Sequence, residues 1–228
     1  MKDNIEILYE DNHLIAVNKP SGILVQGDKT GDEPLSEIVR EYIRFKYKKP
    51  GNVFCGVIHR IDRPVSGAVL LARTSKGLER MAKLFQEKKI KKTYYALVER
   101  RPELEEGRLV HWLVKDSNKN FTHAHEQQVK GSKLSDLGYK LKGKVSGYYL
   151  LEVKPGSGRS HQIRAQLAKM GCPIKGDVKY GSKHKNKGGF IHLHAYQLEF
   201  EHPIKKEPVR ITAGFPKDQV WQLVSHLA

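Results

Sequence analysis

The sequence has few cysteines and no long apolar run. Cys55 and Cys172 are its two cysteines, and they do not form a C-x-x-C pair, so neither a disulfide framework nor a cysteine zinc site is available. No run approaches the ~18 consecutive apolar residues that a membrane span needs. Acidic residues stand near the N-terminus, where a signal peptide would have its apolar stretch. We therefore expect a cytoplasmic protein.

Acidic residues are also scarce relative to basic ones. Lys and Arg number 41 and Asp and Glu 25, so the formal net charge is +16. Residues 1–37 contain three Lys and eight acids, so the positive charge is concentrated in the rest of the chain and predicts a basic face. An excess of this size indicates a polyanionic partner. Nucleic acid is the first candidate, and a membrane surface is the second.

Apolar residues recur at helical spacing in four segments and at strand spacing elsewhere. The predicted helices begin near Pro34, after a Thr74 and Ser75 cap, after a Ser160 cap, and shortly before Val220. We expect the second helix to end in the basic run 88–92, and the apolar face of the last to consist of Val220, Leu223, Val224 and Leu227. The predicted strands are three within residues 5–25, followed by 68–72, 94–98, 109–114, 137–141, 148–153, 191–200 and 209–213. No βαβ unit repeats and no linker divides the chain. We expect one α+β domain over residues 1–228, with a largely antiparallel mixed sheet and flanking helices.

The densest group of reactive side chains is His59-Arg60-Ile61-Asp62-Arg63-Pro64. Asp62 stands between two arginines, just before a predicted buried strand. Nearby positive charge lowers the pKa of a carboxyl group and keeps it ionised, which suits a nucleophile or a base. An ordinary surface ion pair is the alternative, because structural ion pairs perturb carboxylates too.

A second group surrounds the start of the third predicted helix, in Gly156-Ser157-Gly158-Arg159-Ser160-His161-Gln162-Ile163-Arg164. The N–H groups and dipole at a helix start favour an anion, and His161 and Arg164 are three residues apart and share a face. The segment is neither a Walker A loop nor a complete G-x-G-x-x-G. A glycine turn before an ordinary capped helix is the alternative.

Two His-x-His pairs, His123 with His125 and His192 with His194, raise the question of a metal site, because alternate strand residues share a face. No third ligand stands at a suggestive spacing. We therefore expect no metal, and we expect His192 and His194 to make hydrogen bonds in a buried strand.

Several ordered segments resemble one known family. These are 14–22 (Leu-Ile-Ala-Val-Asn-Lys-Pro-Ser-Gly), 59–67, 92–98 (Lys-Thr-Tyr-Tyr-Ala-Leu-Val), 158–164, 173–177 with 180–181, and 193–195 with 202–203. In them the chain resembles the RluA family of pseudouridine synthases. The resemblance implies a pseudouridine synthase-like catalytic domain that isomerises uridine to pseudouridine in tRNA or ribosomal RNA without a cofactor. It also implies Asp62 as the nucleophile, Tyr94 stacked on the target base, and Arg164 paired with Asp62.

The chain departs from the family in two ways. Val65 stands where the family usually has Thr, so no hydroxyl acts there. Many relatives carry a small RNA-binding domain before the catalytic one, whereas this chain begins almost at the first catalytic strand. We therefore expect the catalytic domain or its basic loops to select the substrate.

Basic side chains near these motifs are the predicted RNA contacts. Arg60 is the candidate to fill the gap that a target base leaves when it swings out of its stack. The full predicted set is His59, Arg60, Arg63, Lys88, Lys89, Lys91, Lys92, Arg159, His161, Lys179, Lys183, Lys185 and Lys187. The alternative for Tyr94 is a structural position in a core strand. The alternative for the lysines is a solvated loop that makes no RNA contact.

Two questions stay open at this point. The carboxylate of Asp62 could attack the base, attack the ribose, or remove a ribose proton. A non-catalytic RNA-binding protein and a His-dependent metal hydrolase are the rival functions. We expect a monomer with RNA as its partner.

Overall fold

The computed structural model of the chain describes residues 5–227, which divide into two compact units. The first unit comprises the residues up to Lys91 together with Ala195–Gly214. The second comprises Lys92–His194 together with the residues from Phe215 onward. The chain therefore leaves the first unit, returns to it, and leaves it again.

The first unit is a sheet with two helices. Strands β1 (Glu6–Glu10), β2 (Leu14–Lys19) and β4 (Ser66–Ala72) lie in that order, and each pairs antiparallel with its neighbour. The short β3 (Gly56–Val57) adds to β4, and β11 (Pro208–Thr212) pairs antiparallel with the later part of β10 (Leu193–Glu201). The helices are α1 (Leu35–Lys46) and α2 (Ser75–Gln86).

The core of this unit follows from continuous apolar strands and two amphipathic helices. Leu14–Val17 and Ala68–Ala72 are fully buried, as expected for central strands covered on both faces. In α1, Leu35, Val39 and Ile43 recur every four residues and form its buried stripe. In α2, Met81 joins the core.

The second unit is a five-stranded sheet with one short, largely buried helix and a second short helix near the C-terminus. Its strands are β5 (Lys91–Val98), β9 (Tyr148–Pro155), β8 (Lys133–Val145), β6 (Glu106–Asp116) and β7 (Phe121–His125), in that spatial order and antiparallel throughout. Helix α3 (Gln162–Lys169) contacts β6, β7 and β9 and the 3-10 turn Val178–Tyr180. Helix α4 (Gln219–Val224) buries Trp221 and Val224.

The predicted α+β class with a mostly antiparallel sheet is confirmed, but several local predictions are wrong. Residues 23–25 form no strand, because the carbonyls of Leu24 and Val25 accept the first N–H groups of α1, from Leu35 and Ser36. Helix α2 ends at Gln86. Lys91 and Lys92 therefore begin strand β5 rather than end a helix.

Three further differences lie elsewhere in the chain. Strand β7 was not predicted, because its sequence Phe-Thr-His-Ala-His has weak strand character. The residue before α3 is His161 in a left-handed conformation with φ of 51°, so Ser160 is not the cap. In the last helix Leu223 is exposed, because Trp221 and Val224, three residues apart, form the buried face of α4 and Leu223 lies on another face.

Gly67 fixes the start of β4 by close backbone packing. Its φ is +118°, and a Cβ built there would lie 2.2 Å from the Ala195 carbonyl oxygen. A side chain would therefore meet backbone that cannot rotate away. The glycine allows β4 to begin directly after the Asp62 turn while lying against β10.

We predict that Gly67→Ala destabilises the protein by at least ~2 kcal/mol, because backbone strain of this kind alone costs 1–3 kcal/mol and the clash adds to it. The measurement is the urea unfolding midpoint. Gly22→Ala is the control, since Gly22 has φ of +94° but open space around its Cβ position. If the two variants lowered the urea unfolding midpoint equally, the close approach to Ala195 would contribute nothing to the loss of stability.

Candidate active site

Asp62 lies on a short turn that leads into a buried strand. Its carbonyl accepts the N–H of Val65 at 3.0 Å, and β4 begins one residue later. The neighbours Ile61 and Val65 are buried, while Asp62 is partly exposed. The turn therefore anchors its two apolar ends and leaves the carboxylate at the surface of the first unit.

Lys19 stands behind this turn and is fully buried. Its Nζ donates to the carbonyls of Pro20 at 2.8 Å, Ile23 at 2.9 Å and Arg63 at 3.3 Å. Three acceptors match the three N–H bonds of an ammonium group. Lys19 thus joins the 20–23 turn to the backbone beside Asp62. A lysine at the end of an apolar strand run was the available signal, and sequence reasoning did not use it.

The charges of Lys19 and Asp62 influence each other. Burial lowers the pKa of Lys19 to about 7, and the negative charge of Asp62 acts in the opposite direction. The side chain of Lys19 therefore interacts electrostatically with Asp62, in addition to fixing the backbone of the next residue.

The two arginines near Asp62 in the sequence are held in different ways. Arg63 Nε donates to the Gly22 carbonyl at 2.8 Å, and its Nη1 pairs with Asp32 at 2.7 Å. Arg60 is exposed and lies 3.4 Å from the amide oxygen of Gln26.

His59 is anchored within the first unit. Its Nε2 accepts the N–H of Leu70 at 2.9 Å, and its ring stacks on Phe85 with 4.9 Å between centroids. This bond makes Nε2 an acceptor, so a neutral His59 carries its proton on Nδ1.

In the second unit Arg164 is held by a buried, two-point ion pair. Its Nε lies 2.7 Å from Asp177 Oδ2 and its Nη2 lies 2.8 Å from Asp177 Oδ1. Both side chains are almost fully buried, and the guanidinium lies 4.9 Å from the centre of the Tyr180 ring. This planar geometry fixes the guanidinium in a way that a lysine cannot reproduce. Asp177 belongs to a segment of the resemblance, but its pairing with Arg164 was not foreseen.

His161 and Tyr180 extend this arrangement. His161 is buried, and its Nδ1 lies 2.9 Å from the Tyr180 hydroxyl. That hydroxyl accepts the N–H of Thr122 at 2.8 Å, and Thr122 Oγ1 donates to the Ser160 carbonyl at 2.9 Å. Phe121 stacks on the Tyr180 ring, at 4.4 Å between centroids. The network joins strand β7, the start of α3 and the 3-10 turn into one rigid group.

Tyr94 lies on β5 opposite Val153 of β9. The next residue, Tyr95, is buried and packs against Phe215 at 5.5 Å between ring centroids. Because side chains alternate along a strand, Tyr94 points to the other face, where it is partly exposed. Two residues earlier, Lys92 Nζ donates to the Ser157 carbonyl at 2.7 Å and supports the glycine-rich segment before α3, in which Arg159 is exposed.

The remaining predicted contacts lie in two lysine groups. Lys88, Lys89 and Lys91 are exposed in the first unit, and Lys89 pairs with Glu87 at 2.8 Å. In the second unit Lys183, Lys185 and Lys187 are exposed, whereas Lys179 Nζ donates to the carbonyls of Lys119 and Asn120.

Glu99 lies against this second loop. It accepts a hydrogen bond from Ser182 Oγ at 2.5 Å and one from the Lys183 N–H at 3.4 Å. An acidic group therefore holds the backbone of a loop whose own side chains are basic.

The histidine pairs do not form a metal site in the described chain. His192 is buried between Asn186, 3.1 Å away, and Asp218, 3.4 Å away, and burial lowers its pKa to about 4. The rings of His123 and His125 are 6.2 Å apart. Within residues 5–227 no three metal-ligating side chains lie together, and in the same range no helix is long and apolar enough to cross a membrane.

Comparisons with known proteins agree on one family. A family model described as RNA pseudouridylate synthase matches residues 13–169. The tRNA pseudouridine synthase C of Vibrio cholerae is 32% identical over 96% of this chain and 93% of its own length. The ribosomal large subunit pseudouridine synthase C of Buchnera aphidicola is 36% identical over 93% of this chain and 68% of its own. The structure of human RNA Pseudouridylate Synthase Domain Containing 4 has the same fold, with a TM-score of 0.78 and 20% identity over 97% of this chain and 92% of its own.

We predict that Lys19→Met destabilises the protein by ~2–3 kcal/mol, because three buried carbonyls lose their donor. In the wild type the folded lysine has the lower pKa, so between pH 7 and 10.5 the unfolded chain binds more protons and stability rises with pH. The variant lacks this gain. Urea unfolding should therefore show a difference between the two proteins that grows from pH 7 towards pH 10. A constant difference would contradict the burial of a titrating amine.

We predict that Asp177→Asn destabilises the protein by ~3 kcal/mol, because it removes one partner of a buried ion pair. Asp136→Asn is the matched control, since Asp136 pairs with a largely exposed Arg108 at 3.1 Å. Exposed pairs contribute ~1 kcal/mol or less. Thermal unfolding of both variants measures the contrast, and similar losses would rule out a special role for the buried pair.

Proposed function

The chain belongs to the RNA pseudouridylate synthase family, and we propose that it converts uridines of tRNA or ribosomal RNA to pseudouridine with Asp62 as the nucleophile. The reaction breaks the bond between ribose C1′ and uracil N1 and forms a bond between C1′ and C5. The proton at C5 is lost, and N1 gains one. Composition is unchanged, so the isomerisation needs no oxidant or reductant.

The observation that carries the assignment is the setting of Asp62. Its turn is held from behind by the buried Lys19, and Arg63 is tied to the Gly22 carbonyl next to it. These contacts fix the backbone beside Asp62, and Lys19 interacts electrostatically with its carboxylate. An ionised carboxylate serves each of the three routes, namely attack on the base, attack on the ribose, or removal of a ribose proton.

Arg164 and Tyr94 are the proposed partners of Asp62. Asp177 occupies the Nε and Nη2 edge of the Arg164 guanidinium, and an arginine has five donors, so the pairing of Arg164 with Asp62 would use the remaining ones. Tyr94 offers a partly exposed aromatic ring for the uracil, and stacking of this kind contributes ~1–3 kcal/mol per base. The buried network around Tyr180 supports the proposal, because it holds Arg164 rigidly.

The basic side chains supply the proposed RNA contacts. Arg60 is exposed and weakly held, which suits a side chain that fills the space of the displaced base. Lys183, Lys185 and Lys187 are exposed as phosphate contacts require. The family model runs through both compact units, which supports the proposal of one catalytic domain over residues 1–228. We further propose that the protein acts in the cytoplasm as a monomer.

Relatives named for tRNA and relatives named for the large ribosomal subunit both match this chain. Transfer RNA is the first substrate to test, and ribosomal RNA is the second.

We predict that Asp62→Asn abolishes detectable pseudouridine formation and leaves RNA affinity within about tenfold, or ~1.4 kcal/mol, of the wild type, because most binding comes from phosphate contacts elsewhere. Release of tritium from tRNA labelled at uracil C5 measures the reaction, since that hydrogen must leave. Asp116→Asn is the control carboxylate and should retain activity. Substantial release by Asp62→Asn would remove the nucleophile assignment. If the wild type bound every RNA tried but released tritium from none, the rival function, a non-catalytic RNA-binding protein, would be favoured.

A further inference from the structure

The C-terminal end of α1 carries an exposed aromatic residue that the fold does not need. Phe45 is 79% exposed, more than the other large apolar side chains of the described residues. It comes two residues after Ile43, the last member of the buried stripe, so it lies about 200° around the helix from the core. Burial therefore does not explain why an aromatic residue stands here.

Basic residues surround this ring. Arg44, Lys46, Lys48 and Lys49 occur within six residues. Arg44 and Lys46 have acidic partners, Glu41 at 2.7 Å and Glu10 at 2.6 Å. Among residues 5–227, neither Lys48 nor Lys49 has an acidic partner within ion-pair distance. We call the surface formed by Arg44, Phe45, Lys46, Lys48 and Lys49 the α1 patch.

The backbone holds the patch in a fixed shape. The N–H of Lys48 donates to the Phe45 carbonyl at 3.3 Å, and that of Lys49 donates to the Arg44 carbonyl at 3.1 Å. These two bonds form a Schellman motif, which requires a left-handed residue and usually has glycine there. Lys48 occupies that position with φ of 46°. A lysine is therefore kept where glycine would cost less.

The same residues line a surface cavity of about 660 Å³, together with Gly51. The lining contains four cations, one aromatic ring and no acidic residue. This cavity is wide open to solvent, which suits a base stacked on the ring rather than an enclosed ligand. Helix-dipole complementarity explains basic residues at a helix C-terminus, but it does not explain the exposed ring among them.

The chemistry favours single-stranded RNA. Proteins that bind single strands combine cations for the phosphates with exposed aromatic rings on which bases stack. An acidic peptide would satisfy the cations without using the face of the ring. We propose that the α1 patch binds an unpaired segment of the substrate RNA, with Phe45 stacked on a base and Lys48 and Lys49 at phosphates. This inference rests on the proposed function, because it takes RNA as the substrate.

The first test is the affinity of a mixed-sequence single-stranded oligoribonucleotide for full-length variants, measured in the Asp62→Asn background so that no turnover occurs. Phe45→Ala should weaken binding at least about fivefold. Leu104→Ala, which removes a 66% exposed apolar side chain elsewhere, should leave binding unchanged. The double variant Lys48→Gln/Lys49→Gln should lower the slope of log K against log salt by about 1.4, or ~0.7 per lost contact.

The second test separates binding from folding. Lys48→Gly relieves the left-handed strain, so we expect equal or higher thermal stability together with weaker RNA binding. Lys206→Gly is the matched control, because Lys206 is also exposed and left-handed, with φ of 62°. It should gain stability without changing affinity. A merely structural role for Lys48 would give the two variants the same behaviour.

The outcomes distinguish the two proposals. If the wild type releases tritium from tRNA but Phe45→Ala and the double lysine variant bind as tightly as the parent with the same salt slope, the patch proposal is wrong and the proposed function stands. If the patch variants lose binding to vesicles of anionic phospholipid but bind RNA as tightly as the parent does, the patch proposal is also wrong.

Discussion

The burial of a single amine shapes the surroundings of Asp62. Lys19 ends strand β2 and gives its three N–H bonds to backbone carbonyls, one of which belongs to the residue after Asp62. Removing a charge from water is costly unless its hydrogen bonds are satisfied, so the turns that provide these carbonyls must stay in place. The position of Asp62 thus depends on a contact that its own side chain does not make. Gly67 acts on the same turn from the other end, because it lets β4 begin against Ala195.

In the second unit the side chain of Arg164 is held in a similar way. Arg164 comes from the helix and Asp177 from the loop after it, and the two-point pair between them lies against the Tyr180 ring. Tyr180 is itself fixed by His161, by the Thr122 N–H and by stacking on Phe121. A guanidinium held from several sides loses little freedom when it meets a further acceptor, which is the physical advantage of preorganisation.

Sequence patterns predicted what depends on local periodicity. The α+β class, helices α1 to α3 and the Thr74 cap, whose Oγ1 accepts the N–H of Gly77 at 3.1 Å, all follow from the spacing of apolar and capping residues. Contacts between distant segments were not predictable from spacing, and these include Lys19 with the Arg63 carbonyl and Arg164 with Asp177. The His161 conformation was missed for the same reason, since its left-handed backbone is stabilised by Tyr180, nineteen positions away. The motif resemblance selected the important segments but not the bonds between them.

The return of the chain to the first unit has a consequence for how the protein is made. Leu198, Phe200, Val209, Ile211 and Ala213 belong to the core cluster of that unit, yet they follow the entire stretch from Lys92 to His194 in the sequence. A nascent chain that has emerged only as far as α2 therefore has β2 and β4 without this part of their apolar cover. The core of the first unit is complete only after β10 and β11 leave the ribosome. Its contacts join residues that are far apart in the sequence, and such contacts form slowly. Until then the apolar side chains of β2 and β4 remain exposed, which favours aggregation. The net positive charge of the rest of the chain opposes aggregation by electrostatic repulsion.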